Sequence, residues 1–274
     1  MQTCIHATLL GERLTREAFE RARDAGVDCL EFPTVGERGL DPDKPAEVAR
    51  IGRDLAATGL SLWTLHSDFG PKWDLGSPYP EARRSGIANS LLGARLLADA
   101  GGQIVVIHPG LDAADEEREA RVRACRESLA ALLEESADLP VRFAVENMLP
   151  GHVGDRASEL AAMIEGLPAD RIGFCYDTGH ARLCPDGLEV ARCMAGRMIT
   201  IHLQDNVGEG DAHLMPFDGT VDWQTVARRL DEAGYDGPYV FETALPTPEE
   251  VIRRARGTAE RLASLRAKSR RGGA

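Results

Sequence analysis

Six apolar runs in this chain close on a residue that can bind a cation or carry a proton. Leu60–His66 closes on His66, Ile104–His108 on His108, Arg142–Glu146 on Glu146 and Ile172–Asp177 on Asp177. Met198–Leu203 carries His202 near its end, and Tyr239–Glu242 closes on Glu242. Taken singly, such a histidine is as well explained by a hydrogen bond in a core, and such a glutamate by an ion pair. Recurrence at equivalent positions of successive units is harder to explain that way. If the runs are parallel strands of one barrel, their C-terminal ends converge on one mouth. Three carboxylates and three imidazoles crowded there would repel or stay desolvated without a cation between them. Glu, Asp and His together are the donor set of Mn²⁺, Zn²⁺, Co²⁺ or Fe²⁺.

A second group follows: Asp211-Ala212-His213, then Asp218-Gly219-Thr220-Val221-Asp222-Trp223. Side chains on an extended segment alternate, so Asp211 and His213 share a face and can chelate one ion. Asp222 reads instead as the N-cap of a helix. His6, inside the first run, reads as structural, and His152, in the loop Leu149-Pro150-Gly151-His152, could meet a substrate. Lysine is scarce: Lys44, Lys72 and Lys268 are the only ones and none ends a run, which disfavours Schiff-base chemistry. Lys72 could touch a substrate anion, and Glu31, at the end of the second run, could hold a substrate hydroxyl. The chain has no Gly-x-Ser-x-Gly elbow, no dinucleotide fingerprint and no Walker lysine.

The elements that must position these residues repeat as strand then helix. The remaining strand-like runs are Thr3–Leu9 and Cys29–Phe32. Apolar residues at i, i+3 and i+4 mark helices over Thr15–Ala25, Pro45–Thr58, Glu81–Ala100, Glu116–Ala137 and Thr225–Ala233. Thr15 and Pro248 supply start signals, and Gly26, Gly59, Gly101 and Gly234 sit where a left-handed cap wants glycine. Eight such units in 274 residues predict an α/β fold, a (βα)8 TIM barrel forming a single domain over residues 1–274. The basic segment Arg266–Arg271, followed by Gly-Gly-Ala, reads as a frayed tail. An open doubly wound sheet is the alternative, but its nucleotide-binding signature is missing.

A net charge of −12 disfavours nucleic acid and membrane surfaces as partners. No apolar stretch approaches a membrane span. The first residues lack a charged lead and long apolar run, so a cytoplasmic location is expected. The six cysteines form no Cys-x-x-Cys pair and read as buried, reduced thiols. A homodimer is the commonest oligomeric form and is the expectation if the chain associates.

His66, His108-Pro109-Gly110, Glu146-Asn147, Asp177-Thr178-Gly179-His180, His202-Leu203-Gln204-Asp205, Asp211-Ala212-His213 and Glu242, in this order, resemble the xylose-isomerase-like barrel superfamily that also contains endonuclease IV. The likeness runs from the second run to the eighth. By this resemblance Glu146, Asp177, His202 and Glu242 would hold one divalent ion, as in the ketose epimerases of the superfamily, with Mn²⁺ or Zn²⁺ favoured over Co²⁺, Fe²⁺ or Mg²⁺. Glu146 and Glu242 would be the catalytic pair that exchanges protons with substrate, and His180 would contact it. His66, His108, Asp211 and His213 resemble the additional zinc ligands of endonuclease IV. The implied activity is isomerisation or epimerisation of a small carbohydrate (a sugar, sugar phosphate or related hydroxy-ketone) by proton transfer through a metal-stabilised enediolate. A polynuclear zinc phosphodiesterase is the alternative. Against it, the loop after His66 reads Ser67-Asp68-Phe69-Gly70 where endonuclease IV has His-Ala-Pro-Tyr. Substrate choice falls to the loops Phe32–Pro45, Asp68–Pro80 and Pro150–Arg156.

Overall fold

Strand side chains alternate, so each apolar run divides into two sets. Ile5, Leu30, Val105, Phe143, Val145, Phe174, Ile201 and Phe241 join the helices in one large apolar shell. Cys4, Cys29, Ile104, Val106, Ala144, Cys175 and Val240 form two small separate clusters, both packed on Trp63. These are the barrel interior, where eight closed strands leave room for a filling of side chains only.

The computed structural model describes residues 1–11, 13–33, 40–244 and 247–272. In it β1 (Thr3–His6), β2 (Cys29–Pro33), β3 (Ser61–His66), β4 (Ile104–Ile107), β5 (Arg142–Glu146), β6 (Ile172–Asp177), β7 (Met198–Leu203) and β8 (Tyr239–Phe241) pair in chain order and close into a barrel. The pairing is parallel throughout, β8 against β1 included. The helices are α1 (Arg16–Asp24), α2 (Pro45–Thr58), α3 (Pro80–Asp99), α4 (Asp115–Glu135), α5 (Ala157–Ile164), α6 (Thr178–Leu183), α7 (Gly187–Cys193), α8 (Trp223–Glu232) and α9 (Pro248–Gly272). This is the expected (βα)8 TIM barrel. The run Thr3–Leu9 is strand only to His6, after which Ala7–Leu10 form a 3₁₀ turn. Thr15 accepts from the Ala18 amide, and Asp222 accepts from the amides of Gln224 and Thr225, so both act as N-caps. Gly26, Gly59, Gly101 and Gly234 take φ from 67° to 90°. No helix among the described residues is long and apolar enough to cross a membrane. All six cysteines are free.

Two register shifts set what faces what at the mouth. Leu30 pairs with Leu62 but Glu31 with Thr64, so β3 carries Trp63 as an extra residue. Phe174 pairs with Met198 but Cys175 with Thr200, so β7 carries Ile199 as an extra residue, and Asp177 then stands opposite His202. Such bulges bend a strand and re-aim its side chains. Trp63 reaches across the barrel, its indole N–H donating to Thr200 Oγ1 at 3.1 Å.

Buried arginines fasten the loops above. Arg118 on α4 binds the carboxylates of Glu159 and Asp155 and the carbonyls of Gly151 and His152. One turn on, Arg121 binds Asp74 at 2.5 Å and the carbonyls of Gly76 and Asp112. At the other end of the chain the expected frayed tail is ordered where it begins. Arg266 is buried and bonds Asp231 at 2.7 Å, the Tyr239 hydroxyl at 3.1 Å and the Tyr235 carbonyl at 2.6 Å. Helix α9 continues to Gly272, because the aliphatic stem and guanidinium have a carboxylate and a core tyrosine to pack on. Residues 273–274 of that tail lie outside the described residues, as do 34–39 of the loop Phe32–Pro45.

Arg118→Leu would leave the buried Glu159 carboxylate without its cation and remove the nearer of two arginines from the partly buried Asp155. The expected loss is about 3 kcal/mol of unfolding free energy, measured from denaturant midpoints. A loss below about 1 kcal/mol, the range of an exposed pair, would show that the cluster does not carry these loops.

Candidate metal centre

The inward position at each strand end lies two residues above a small inward residue: Glu31 over Cys29, Glu146 over Ala144, Asp177 over Cys175, His202 over Thr200, Glu242 over Val240. Period two thus puts the polar residues in one ring that caps the packed interior. Glu31, Glu146, Asp177 and His202 are fully buried, and Glu242 is half-buried at the rim.

Glu146, Asp177, His202 and Glu242 each bring one donor atom within 4.8 Å of the others, and His66 does the same with Glu146 and His202. His202 Nδ1 lies 3.0 Å from Glu146 Oε1 and 3.2 Å from Glu242 Oε2. Glu146 Oε2 and Glu242 Oε2 are buried without a hydrogen bond. A buried carboxylate oxygen without a donor is costly, and oxygens converging with an imidazole nitrogen are what a divalent ion takes. The donor set therefore fits such an ion.

Two further groups adjoin this one. His66 Nε2 and His108 Nε2 each lie 3.4 Å from Glu146 Oε2, with ring centroids 4.6 Å apart. His180 Nε2 is 3.5 Å and His213 Nε2 2.9 Å from Asp211 Oδ2. His180 is aimed by its Nδ1–H, which donates to the Asn147 carbonyl at 2.8 Å. His213 has φ 47°, the left-handed region that few residues other than glycine adopt, and its Nδ1–H donates to the Glu242 carbonyl at 2.8 Å. All nine expected donors thus gather at the mouth in three adjoining groups.

The remaining expected residues stand as follows. Glu31, expected to hold a substrate hydroxyl, is fully buried in the ring, with one oxygen bonded to Thr64 and His202. Lys72, expected to touch a substrate anion, is exposed, with its amine 5.2 Å from the Trp73 ring centroid. His6, read as structural, pairs in register with Glu31, and its Nδ1 lies 2.6 Å from the Thr8 hydroxyl. His152 pairs with Asp112 at 2.9 Å, beside Phe69, whose exposed ring lies 4.3 Å from that of His108.

Several residues that the sequence offered only as marks of the resemblance, with no role, are positioning residues. Asn147 clasps the backbone of Asp177 at both ends, donating to its carbonyl at 3.0 Å and accepting from its amide at 2.8 Å. Gln204 donates to Asp211 Oδ1 at 2.7 Å, and its place two residues after His202 was the available signal. Gly179 is required because a Cβ there would run into the Gln204 side chain. Asp205 accepts from Asn206, Phe217 and Val221 amides and the Trp223 indole, and so shapes the loop bearing Asp211 and His213.

The electrostatics follow from burial set against neighbours. Burial opposes a charged His66, but Glu146, Glu242 and Glu31 push it up to about 9. His202 is likewise raised against its burial, by Glu31, Glu242 and Glu146 among others. Burial, then the neighbouring His66, lowers His108 to about 3, so its ring is neutral. Burial pushes Asp177 up to about 7, with His180 opposing and Glu146 and Glu242 adding. Despite burial, His202 and its fellow imidazoles hold Glu146 well below the usual carboxylate range.

A closed parallel barrel whose C-terminal mouth carries a Glu–Asp–His–Glu group able to hold a divalent ion is the class of protein that this fold and site define. The chain belongs to the xylose isomerase-like TIM barrel family, whose sequence profile matches residues 19–268. It is 27% identical to the protein y4fM of Sinorhizobium fredii, over 93% of this chain and 90% of that one. A probable endonuclease 4 of Mycobacterium leprae is 29% identical over 54% of this chain and 60% of its own length. A ketose 3-epimerase of Arthrobacter globiformis is 25% identical, covering 83% and 77% respectively. Among solved structures, a D-tagatose 3-epimerase-like protein superposes with TM-score 0.82 over 100% of both chains at 20% identity. The IolI protein with a bound zinc atom does so with TM-score 0.82 over 96% and 98% at 16% identity.

Metal uptake should release protons. The surrounding carboxylates favour the protonated forms of His66, raised to about 9, and of His202, and an imidazole must shed a proton to ligate. Protons compete with the ion, so affinity should rise with pH and level off once the raised imidazoles have titrated, about pH 9 for His66. Adding Mn²⁺ or Zn²⁺ in weakly buffered indicator solution should liberate about one proton or more per ion. No release near neutral pH would refute this charge assignment.

Proposed function

We propose that this chain is a divalent-metal-dependent isomerase or epimerase of a sugar, a sugar phosphate or a related hydroxy-ketone. The observation that carries the reading is that Glu146 and Glu242 meet in one four-donor group with Asp177 and His202. They come from β5 and the end of β8, so they face the mouth from well-separated strands. One glutamate would take a proton from the carbon beside a carbonyl and the other would return it. A divalent ion held there supplies Lewis acidity toward a substrate carbonyl and its neighbouring hydroxyl. The neighbouring imidazoles keep Glu146 ionised despite burial, as a base requires. Family membership and the likeness to a ketose 3-epimerase support the same reading.

A second reading, a polynuclear zinc hydrolase of phosphodiesters, is favoured by the two adjoining donor groups and by the likeness to a probable endonuclease 4. The net charge of −12 and the sparse lysines weigh against a duplex substrate.

Elemental mass spectrometry on protein purified without chelator separates the two. One ion per chain, with solvent deuterium entering the carbon beside the carbonyl of a ketose, is the expected result. Two or three zinc ions with incision of an abasic-site duplex would establish the second reading instead. Glu146→Gln and Glu242→Gln should each lower kcat by about 10²- to 10⁴-fold while substrate still binds. Normal turnover in either variant would remove it from the proton-transfer role.

A further inference from the structure

Glu31 is the one buried carboxylate of the ring that lies outside the Glu146–Asp177–His202–Glu242 group. Its Oε2 lies 3.0 Å from His202 Nε2 and accepts from Thr64 Oγ1 at 2.7 Å. Glu31, Thr64 and His202 are all fully buried. The partners on that oxygen are an imidazole and a hydroxyl, whereas Glu159 and Asp74 meet arginine.

An uncharged imidazole carries one proton, and the nitrogen that holds it cannot ligate. His202 has its two nitrogens in opposite settings. Nδ1 faces Glu146 and Glu242, inside the donor group, while Nε2 faces Glu31 beneath it. A carboxylate on Nε2 keeps the proton there, leaves the Nδ1 lone pair for an ion and fixes the ring plane. Thr64 steers that carboxylate, and Thr64 is opposite Glu31 only because of the bulge at Trp63.

From this geometry we infer that Glu31 is a positioning residue for metal binding: through Nε2 it holds His202 as the Nδ1 ligand, with Thr64 as its support. The inference rests on the reading that the four-donor group takes a divalent ion. It adds that affinity depends on a residue outside the four-donor group.

The test measures Zn²⁺ affinity of the full chain by competition with a chromophoric chelator. Glu31→Leu should weaken binding by about 10- to 100-fold. Glu31→Gln keeps an acceptor oxygen but loses the charge and should fall between Glu31→Leu and the natural protein. Thr64→Val should weaken it by a smaller factor. Long-range ¹H–¹⁵N spectra of the zinc-loaded natural protein should show His202 protonated at Nε2 alone, and that single tautomer should be lost in Glu31→Leu. If Glu31→Leu does not fold, the Gln and Val variants carry the test. Natural-strength zinc binding in both would overturn the inference, as would an Nδ1-protonated His202 in the loaded natural protein. Failure of the natural protein to bind zinc or manganese would instead overturn the metal reading itself.

Discussion

Everything at the mouth depends on burying carboxylates without a permanent cation. The ion-pair partners that Glu31, Glu146, Asp177 and Glu242 find among the described residues are imidazoles. The contrast within the same molecule is informative. Where a buried acid only has to stay, as at Glu159, Asp155 or Asp74, the chain uses arginine, whose charge cannot be removed. Where compensation must be exchangeable, it uses histidine. Protons on the imidazoles balance the acids in the ion-free protein, and a divalent ion can replace them at similar net charge.

That exchange needs a floor and walls that do not move. The floor is the interior plug of cysteines, small aliphatics and Trp63, buried beneath the ring. The walls are loops fastened from outside. Arg118 and Arg121, three residues apart on α4, hold carbonyls and acids of the loops after β3, β4 and β5. Asp205 does the equivalent for the loop after β7 with a single carboxylate. Anchors of this kind keep donor atoms within the tolerance that ligation demands.

Backbone irregularities are concentrated where the donors are. The bulges at Trp63 and Ile199 set Thr64 opposite Glu31 and Asp177 opposite His202. His213 adopts a left-handed backbone that aims its ring between Glu242 and Asp211. A regular barrel would place the same residues on the same strands, but not with these atoms in register. Local departures from ideal geometry persist where surrounding contacts enforce them.

The fold was legible in the sequence because its determinants are local and repeated: apolar strand-like runs recur eight times, with helix periodicity, caps and glycine stops between them. The donors were legible for the same reason, since period two fixes which strand-end residues point inward once the barrel closes. The contacts of Glu31, Lys72 and Arg266 were not. Whether a carboxylate meets substrate or supports a ligand depends on which atoms lie beyond it. For Glu31 those are Thr64 and His202, which are 33 and 171 residues away. Lys72 found an indole, and Arg266 found Asp231 and two tyrosines, none of which its basic neighbourhood announces. Sequence alone determined which chemical groups reach the mouth. Tertiary structure decided which nitrogen or oxygen of each group faces which neighbour, because register shifts and long-range contacts are energies of the assembled barrel and of no single segment.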